Sequence, residues 1–157
     1  MQIENLQKEK LLKEKLQKEI ADAIWKLRKE RNSAYLSYVG EEGYPNTRAM
    51  LILEHDHIHT QYLSTNTSSG KIAALLNNPK ASIYYCDPDH FQCVLFVGEI
   101  EVCTDKETKE FLWRDGFEKY YPQGVTDPDY CVLKLSVTRG SHYHGLCNTQ
   151  FVPGDLE

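Results

Sequence analysis

The run Leu63-Ser64-Thr65-Asn66-Thr67-Ser68-Ser69-Gly70-Lys71-Ile72-Ala73-Ala74-Leu75-Leu76-Asn77-Asn78-Pro79 decides how this chain is read. Every residue from Ser64 to Ser69, and Lys71 after them, carries a side-chain hydroxyl, amide or ammonium. The apolar spacing behind them predicts a helix from about Ser69 to Leu76, stopped by Asn77-Asn78-Pro79 because proline cannot continue it. Backbone N–H groups at a helix start point outward without intrahelical acceptors, and the macrodipole favours an anion there. Hydroxyls and one lysine would complete a phosphate cradle. A second reading stands beside it: Ser68 or Ser69 caps the helix and Lys71 is a solvated charge. The Gly-x4-Gly-Lys spacing of a Walker loop is missing.

Upstream, Ile58 to Ser64 reads as a strand, with a tight turn at His55-Asp56 before it. Thr47 to Leu53 and Ala34 to Val39 are two more strands, separated by the turn GEEGYP. Residues 2–29 have the period of a helix, with Leu12, Leu16, Ile20, Ile24 and Leu27 three or four residues apart. Downstream, Ala81 to Tyr85 and Gln92 to Val102 read as strands around the turn CDPDH. Gly98 inside the second predicts a bulge or a bend. A helix follows, capped by Thr104 or Asp105 and running to about Trp113. Tyr130 to Val137 is a strand, and a short last strand lies near Tyr143 or Phe151. Antiparallel neighbours on short turns, with helices at the corners, describe a mainly β (α+β) Greek-key barrel rather than βαβ units. Residues 1–31 are expected to be a helix packed on the barrel or on a partner subunit, and residues 32–157 the barrel.

The chain has 157 residues, 26% of them charged, and a net charge of −5. That charge removes the electrostatic reason for nucleic-acid binding. No stretch has the length and apolarity of a membrane span, and the first twenty residues lack a signal-peptide core, so a cytoplasmic protein is expected. Five widely spaced cysteines without a CxxC pair read as reduced structural thiols. His55, His57 and His59 alternate, as do His142 and His144, which suits a metal pair on a strand. The first three flank a turn, and the expectation there is solvated histidines and no metal. Asp127-Pro128-Asp129 reads as a turn. Arg48, on a strand expected to be half buried, calls for a phosphate or a carboxylate such as Glu54 or Glu99.

Together these segments resemble the pyridoxamine-5′-phosphate-oxidase-like superfamily. The hydroxyl-rich run matches its FMN-phosphate segment without a gap, and AYLSYVG, EEGYP and PNTRAM match its opening strand, turn and Pro-x-x-Arg-x-Met strand. NNPKASIYY, QCVLFVGEIEV and LWRDGFEKYYPQGVTDPDYCVLKL look like its general-stress-protein branch. The resemblance implies a six-stranded antiparallel split β-barrel with flanking helices, forming a homodimer with FMN in two clefts between subunits. It implies that Arg48, Ala49 and Met50 line the flavin, that Ser64 and Thr65 contact its ring edge or ribityl chain, and that Ser68, Ser69 and Lys71 bind the phosphate. Gln92 or Cys93 would approach from the long strand, and Trp113 and Tyr143 would pack near the cofactor, the seam or the core. Gly70 stands where true pyridoxamine-phosphate oxidases have an arginine, and RGSHYHGLCNTQF lacks their C-terminal Arg/His signature. The expected function is therefore FMN-dependent electron transfer from a reduced nicotinamide or similar donor to a small acceptor, or non-catalytic storage or sensing of FMN.

Overall fold

A computed structural model describes residues 1–53, 55 and 57–156. The helix α1 spans Gln2–Glu30. It is followed by the strands β1 (Ser33–Val39), β2 (Pro45–Leu51) and β3 (Thr60–Asn66). Then come the helix α2 (Gly70–Asn77) and the strands β4 (Lys80–Asp87) and β5 (Gln92–Cys103). The helix α3 (Lys106–Leu112), the strand β6 (Tyr130–His144) and the strand β7 (Cys147–Phe151) complete the order. All strand pairs are antiparallel, in the spatial order β2-β1-β4-β5-β6-β3, with β7 added to β6. The sheet is a split barrel of seven strands rather than six, and it is not closed: β2 and β3 are its two ends.

The seventh strand is β7, which ends at Phe151, while β6 runs through Tyr143 to His144 instead of ending at Val137. Gly140 does not break it. A Cβ there would collide with the Phe151 ring, so the bare backbone lets β7 fold back and set Phe151 edge-on against Phe96 at 6.0 Å between centroids. Gly98 behaves as its place in the strand predicts. The β5–β6 register shifts between Val97 and Gly98, and a Cβ on Gly98 would meet the Ser136 carbonyl.

The turn Gly40–Tyr44 closes on Gly40 N–H donating to the Tyr44 carbonyl at 2.8 Å, with Gly43 at φ 84°. The main core combines Ile20, Ile24 and Leu27 of α1 with Leu36, Ile83, Phe96 and Leu133 of the sheet. The stripe on α1 thus buries only its C-terminal half; Leu12 is 68% exposed. A second core forms under α3 from Leu112, Phe117, Tyr121, Tyr130 and Val132. Asp105 caps α3 by accepting from Thr108 N–H at 2.9 Å.

Buried Arg28 ties α1 to the segment that leads into β3. Its guanidinium donates to the His55 carbonyl (3.1 Å), the His57 carbonyl (2.6 Å) and Gln61 Oε1 (2.7 Å). The Tyr85 hydroxyl donates to the same Gln61 oxygen at 3.1 Å. This docking corrects one expectation about the histidines: His57 and His59 are exposed, but His55 is buried. Asp56, the other half of the expected turn, lies outside the described residues.

Burial, then the positive charge of Arg28, lowers the His55 pKa to about 3. An unfolded histidine titrates near 6.5. Between these values the unfolded chain takes up a proton that the folded chain refuses, so His55 contributes stability that is complete above about pH 6.5 and is lost as pH falls toward 3. Urea unfolding at about pH 7.5 and about pH 5.5 should show the wild type losing stability across this interval, and His55→Asn losing markedly less. Equal losses in the two proteins would refute the assignment.

Candidate functional site

The gap between the two ends of the sheet holds a cleft of about 390 Å³. One wall is Ala49, Met50 and Leu51 of β2, and the other is Ser64, Thr65 and Asn66 of β3. Because, among the described residues, β2 and β3 pair with no strand on these sides, their backbone edges are open toward the cleft. Lys71 closes one end, and Phe117, Tyr120 and Tyr121 stand over the other.

Lys71 is positioned from its own loop. Its Nζ donates to Thr65 Oγ1 at 2.8 Å and Ser69 Oγ at 2.7 Å. Partial burial lowers its pKa, and the nearby charge of Arg48 lowers it further. Lys71 thus lies among hydroxyls with the charge of Arg48 nearby, an arrangement that an anion would stabilise. Arg48 itself is exposed, because β2 is an end strand; its Nη1 donates to the Thr47 carbonyl at 3.1 Å. The half-buried strand and a Glu99 partner expected for it are not what the chain adopts: Glu99 sits on β5 opposite Lys80. Glu54 lies outside the described residues.

The loop before α2 is held by Asp129, a residue whose place in the sequence suggests only a turn. Asp129 Oδ1 accepts from Ser68 N–H (2.7 Å) and Oδ2 from Asn66 Nδ2 (2.8 Å), and these bonds hold its carboxyl below the usual carboxylate range. Thr67 N–H donates to the Asp129 carbonyl at 2.7 Å, and Ser69 N–H to the Asn66 carbonyl at 3.0 Å. The Ser68 and Ser69 amides are therefore spent inside the loop. Helix geometry leaves the N–H groups of Gly70 and Lys71 for a ligand. The plain-cap reading fails in one respect, since Ser69 is the N-cap yet makes no side-chain cap bond; its hydroxyl serves Lys71 instead.

Ala49, Met50, Ser64, Thr65 and Lys71 are thus brought together, with Ser69 beside Lys71 and Arg48 at the rim. Ser68 is exposed and turned to Asp129. Gln92 stands apart in its own chain, in a groove between α1 and the end of β6, with Nε2 3.4 Å from His142 Nε2. Trp113 packs behind the cleft, its ring 5.2 Å from Tyr130 and 5.5 Å from Phe117. Tyr143 lies opposite Cys93 on the outer side of the sheet. Sequence reasoning missed Phe117, Tyr120 and Tyr121 as wall residues. Their signal was the aromatic cluster of GFEKYYP, which two 3-10 turns, Phe117–Lys119 and Gly124–Thr126, bring back over β3. Burial of the Tyr121 phenol pushes its pKa up to about 12, so it stays neutral. A lysine held among hydroxyls, with aromatic side chains in the same lining, suits a phosphorylated ring.

A family model described as pyridoxamine 5′-phosphate oxidase like matches residues 19–149. No curated protein matches. Among solved structures, the chain is similar to a Clostridium acetobutylicum protein related to general stress protein 26, of the pyridoxinephosphate oxidase family. The two share 36% identity over 89% of this chain and 99% of that one, with a TM-score of 0.82. A pyridoxamine 5′-phosphate oxidase-related, FMN binding protein from Nostoc punctiforme shares the fold at 17% identity, over 83% of this chain and 86% of that one, with a TM-score of 0.59. A heme binding protein from Mycobacterium smegmatis shares it at 19% identity, over 87% of this chain and 59% of that one, with a TM-score of 0.67. By its sequence, its split barrel and the cleft between the barrel's two ends, this chain belongs to the pyridoxamine 5′-phosphate oxidase-like family, and within it resembles general stress protein 26.

Proposed function

We propose that the chain binds FMN in the cleft between β2 and β3 and acts as a cytoplasmic oxidoreductase, passing electrons from a reduced nicotinamide or similar donor to a small acceptor. The observation that carries this reading is the pairing of half-buried Lys71, fixed by two hydroxyls, with a slot between two unpaired strand edges. Bound FMN supplies the hydride and electron transfer from its own ring system. The chain's residues would do the rest. Lys71, Arg48 and the amides at the start of α2 would neutralise the phosphate. Ser64 and Thr65 would hold the ribityl chain or the ring edge, and the β2 backbone at Ala49 and Met50 would fix the ring plane. Tyr120 and Tyr121 would keep water off one face. Haem is the less favoured ligand, because a lysine held between two hydroxyls suits a phosphate, which haem does not carry.

The same reading makes the protein a homodimer. The side of the sheet turned away from the core carries Tyr35, Leu51, Tyr84 and Tyr143, each between 36% and 49% exposed. Register aligns them: Tyr35 lies opposite Ala49 and Tyr84, and Tyr84 opposite Leu95. An outward apolar sheet face of this kind suits a second copy. It runs to the cleft through Ala49 and Leu51, so a partner seated there would wall the open side, and Gln92 would serve the partner's cleft rather than its own.

Titration with FMN, followed by addition of NAD(P)H in air, tests the activity. Flavin absorbance that is bleached by NAD(P)H and returns over many turnovers supports the oxidoreductase, whereas tight FMN without turnover supports a storage or sensing protein. Absence of FMN binding would sink both. Arg48→Ala combined with Lys71→Ala should weaken FMN at least tenfold, about 1.4 kcal/mol or more; unchanged affinity would exclude the phosphate corner. Gly70→Arg should do the opposite. A Cβ at Gly70 meets no atom within 4 Å, so an arginine is accommodated there beside Lys71 at the start of α2 and should tighten FMN by about threefold to tenfold. Weaker binding in a folded Gly70→Arg protein would move the phosphate elsewhere. Light scattering at micromolar concentration should find a dimer that Tyr84→Lys converts to a monomer with weakened FMN; a monomeric wild type would reject the dimer.

A further inference from the structure

The helix α1 is longer than the part of it that the barrel covers. Its first buried residue is Ile20, so residues 2–19 project about 27 Å at 1.5 Å per residue. The projecting half continues the buried stripe. At about 100° per residue, Leu6, Leu12 and Leu16 fall on the same side of the helix as Ile20, Ile24 and Leu27. All three are exposed, from 41% at Leu16 to 68% at Leu12. A helical stretch of this length is marginal in water without tertiary packing, so the stripe calls for a cover. The family match begins at residue 19, which leaves the arm outside the common barrel.

Charge and pattern indicate what covers it. The chain has 18 basic and 23 acidic side chains, and five of the lysines and three of the glutamates fall in residues 1–18. The arm therefore carries +2 and the rest of the chain −7, so the arm is attracted to bodies like its own. Glu9 and Lys13 lie within the stripe. Lipid hydrocarbon would take up that carboxylate and that ammonium without partners, whereas a protein surface pairs them.

The body offers such a surface. An open groove of about 470 Å³ beside the β1–β2 turn is lined by Tyr38, Tyr44, Asn46 and Ala74, with Glu41 and Glu42 at the turn. Tyr44 is 71% exposed. In its own chain the arm leaves from the wrong end: Glu19 and Asp22 of α1 face His90 and His142 beyond the end of β4, while the groove lies where β4 begins, with Ala81 opposite Tyr38. Tyr38 and Asn46 also point to the side of the sheet away from Tyr35 and Tyr84, so a partner on the outward face does not cover them.

We propose that the projecting half of α1 docks on the acidic β1–β2 turn groove of a second copy of this chain. Leu12 and Leu16 pack on Tyr44, and Lys13 meets Glu41 and Glu42. The arm is longer than the roughly 10 Å between two packed sheets, so it extends past an interface to the copy behind it. The contact rests on the dimer proposed above, which supplies the high local concentration that a single arm needs. It requires no flavin.

The test couples lysines to carboxylates in the full-length wild-type protein with a zero-length carbodiimide, then separates covalent dimer from monomer and maps the joined peptides. The expected result is that the dimer contains a lysine from residues 8–18 joined to Glu41 or Glu42. A dimer by light scattering that lacks this pair sinks the arm and leaves the sheet-face dimer standing; a monomeric wild type removes both. The same pair recovered from the monomer would place the arm on its own body and overturn the proposal. Glu41→Lys with Glu42→Lys should speed amide exchange in residues 4–16 about tenfold or more while the barrel amides keep their rates, and Lys10→Glu with Lys13→Glu added should restore protection. Unchanged exchange in the reversed turn, or arm protection that arises only with phosphatidylserine vesicles, would assign the arm elsewhere and overturn the proposal.

Discussion

The structure depends on two strands that follow one another in the chain and do not pair. Consecutive antiparallel strands ordinarily lie side by side. Here β2 and β3 are the opposite ends of a curled sheet, and the ladder runs the long way round through β1, β4, β5 and β6. Fifteen-residue β6 makes this arrangement hold, since it pairs with β5 along most of its length, with β3 at one end and with β7 at the other. An unpaired strand edge inside a protein costs free energy unless something meets its backbone groups. At this gap stands a cleft lined by hydroxyls, a lysine and aromatic side chains in place of another strand.

The electrostatics follow from that geometry. Asp129 arrives from the start of β6, which is already registered against β3, and it fastens the loop between β3 and α2. With the loop fixed, Thr65 and Ser69 hold Lys71 over the slot rather than letting it extend into water. A carboxylate on the loop's outer side and cations on its inner side give the corner a direction. The Asp129 carboxylate satisfies the Ser68 N–H and the Asn66 side-chain amide from behind, while the start of α2 stays open in front.

Much of this was legible in the residues. The hydroxyl run, the proline stop after α2, the glycine bulge in β5 and the amphipathic α1 are local patterns, and local patterns survive into the structure. What was not legible depends on contacts between distant segments. The strand read from Tyr130 stops at Val137, apart from any strand near Tyr143, and only the Phe151 ring packed on Gly140 explains why it runs on without a break. Arg48 looks half buried until β2 proves to be the end of the sheet. His55 looks solvated until Arg28, 27 residues earlier, closes over its carbonyl. Cys86 and Cys93 read as independent thiols, yet the β4–β5 register sets them opposite one another, which no composition or spacing rule states.

The Arg28 network has a consequence for the cleft. The segment from His55 to Gln61 connects β2 to β3, so it is the hinge joining the two walls, and Arg28 pins it to α1 at three points. Docking of the helix and the approach to β3 therefore share one set of hydrogen bonds. Without the Arg28 guanidinium the His55 and His57 carbonyls would lose that donor, so the helix and the approach to β3 would loosen together. The long helix, whose first half is exposed, is thus fastened to the segment ahead of β3 by a single buried guanidinium.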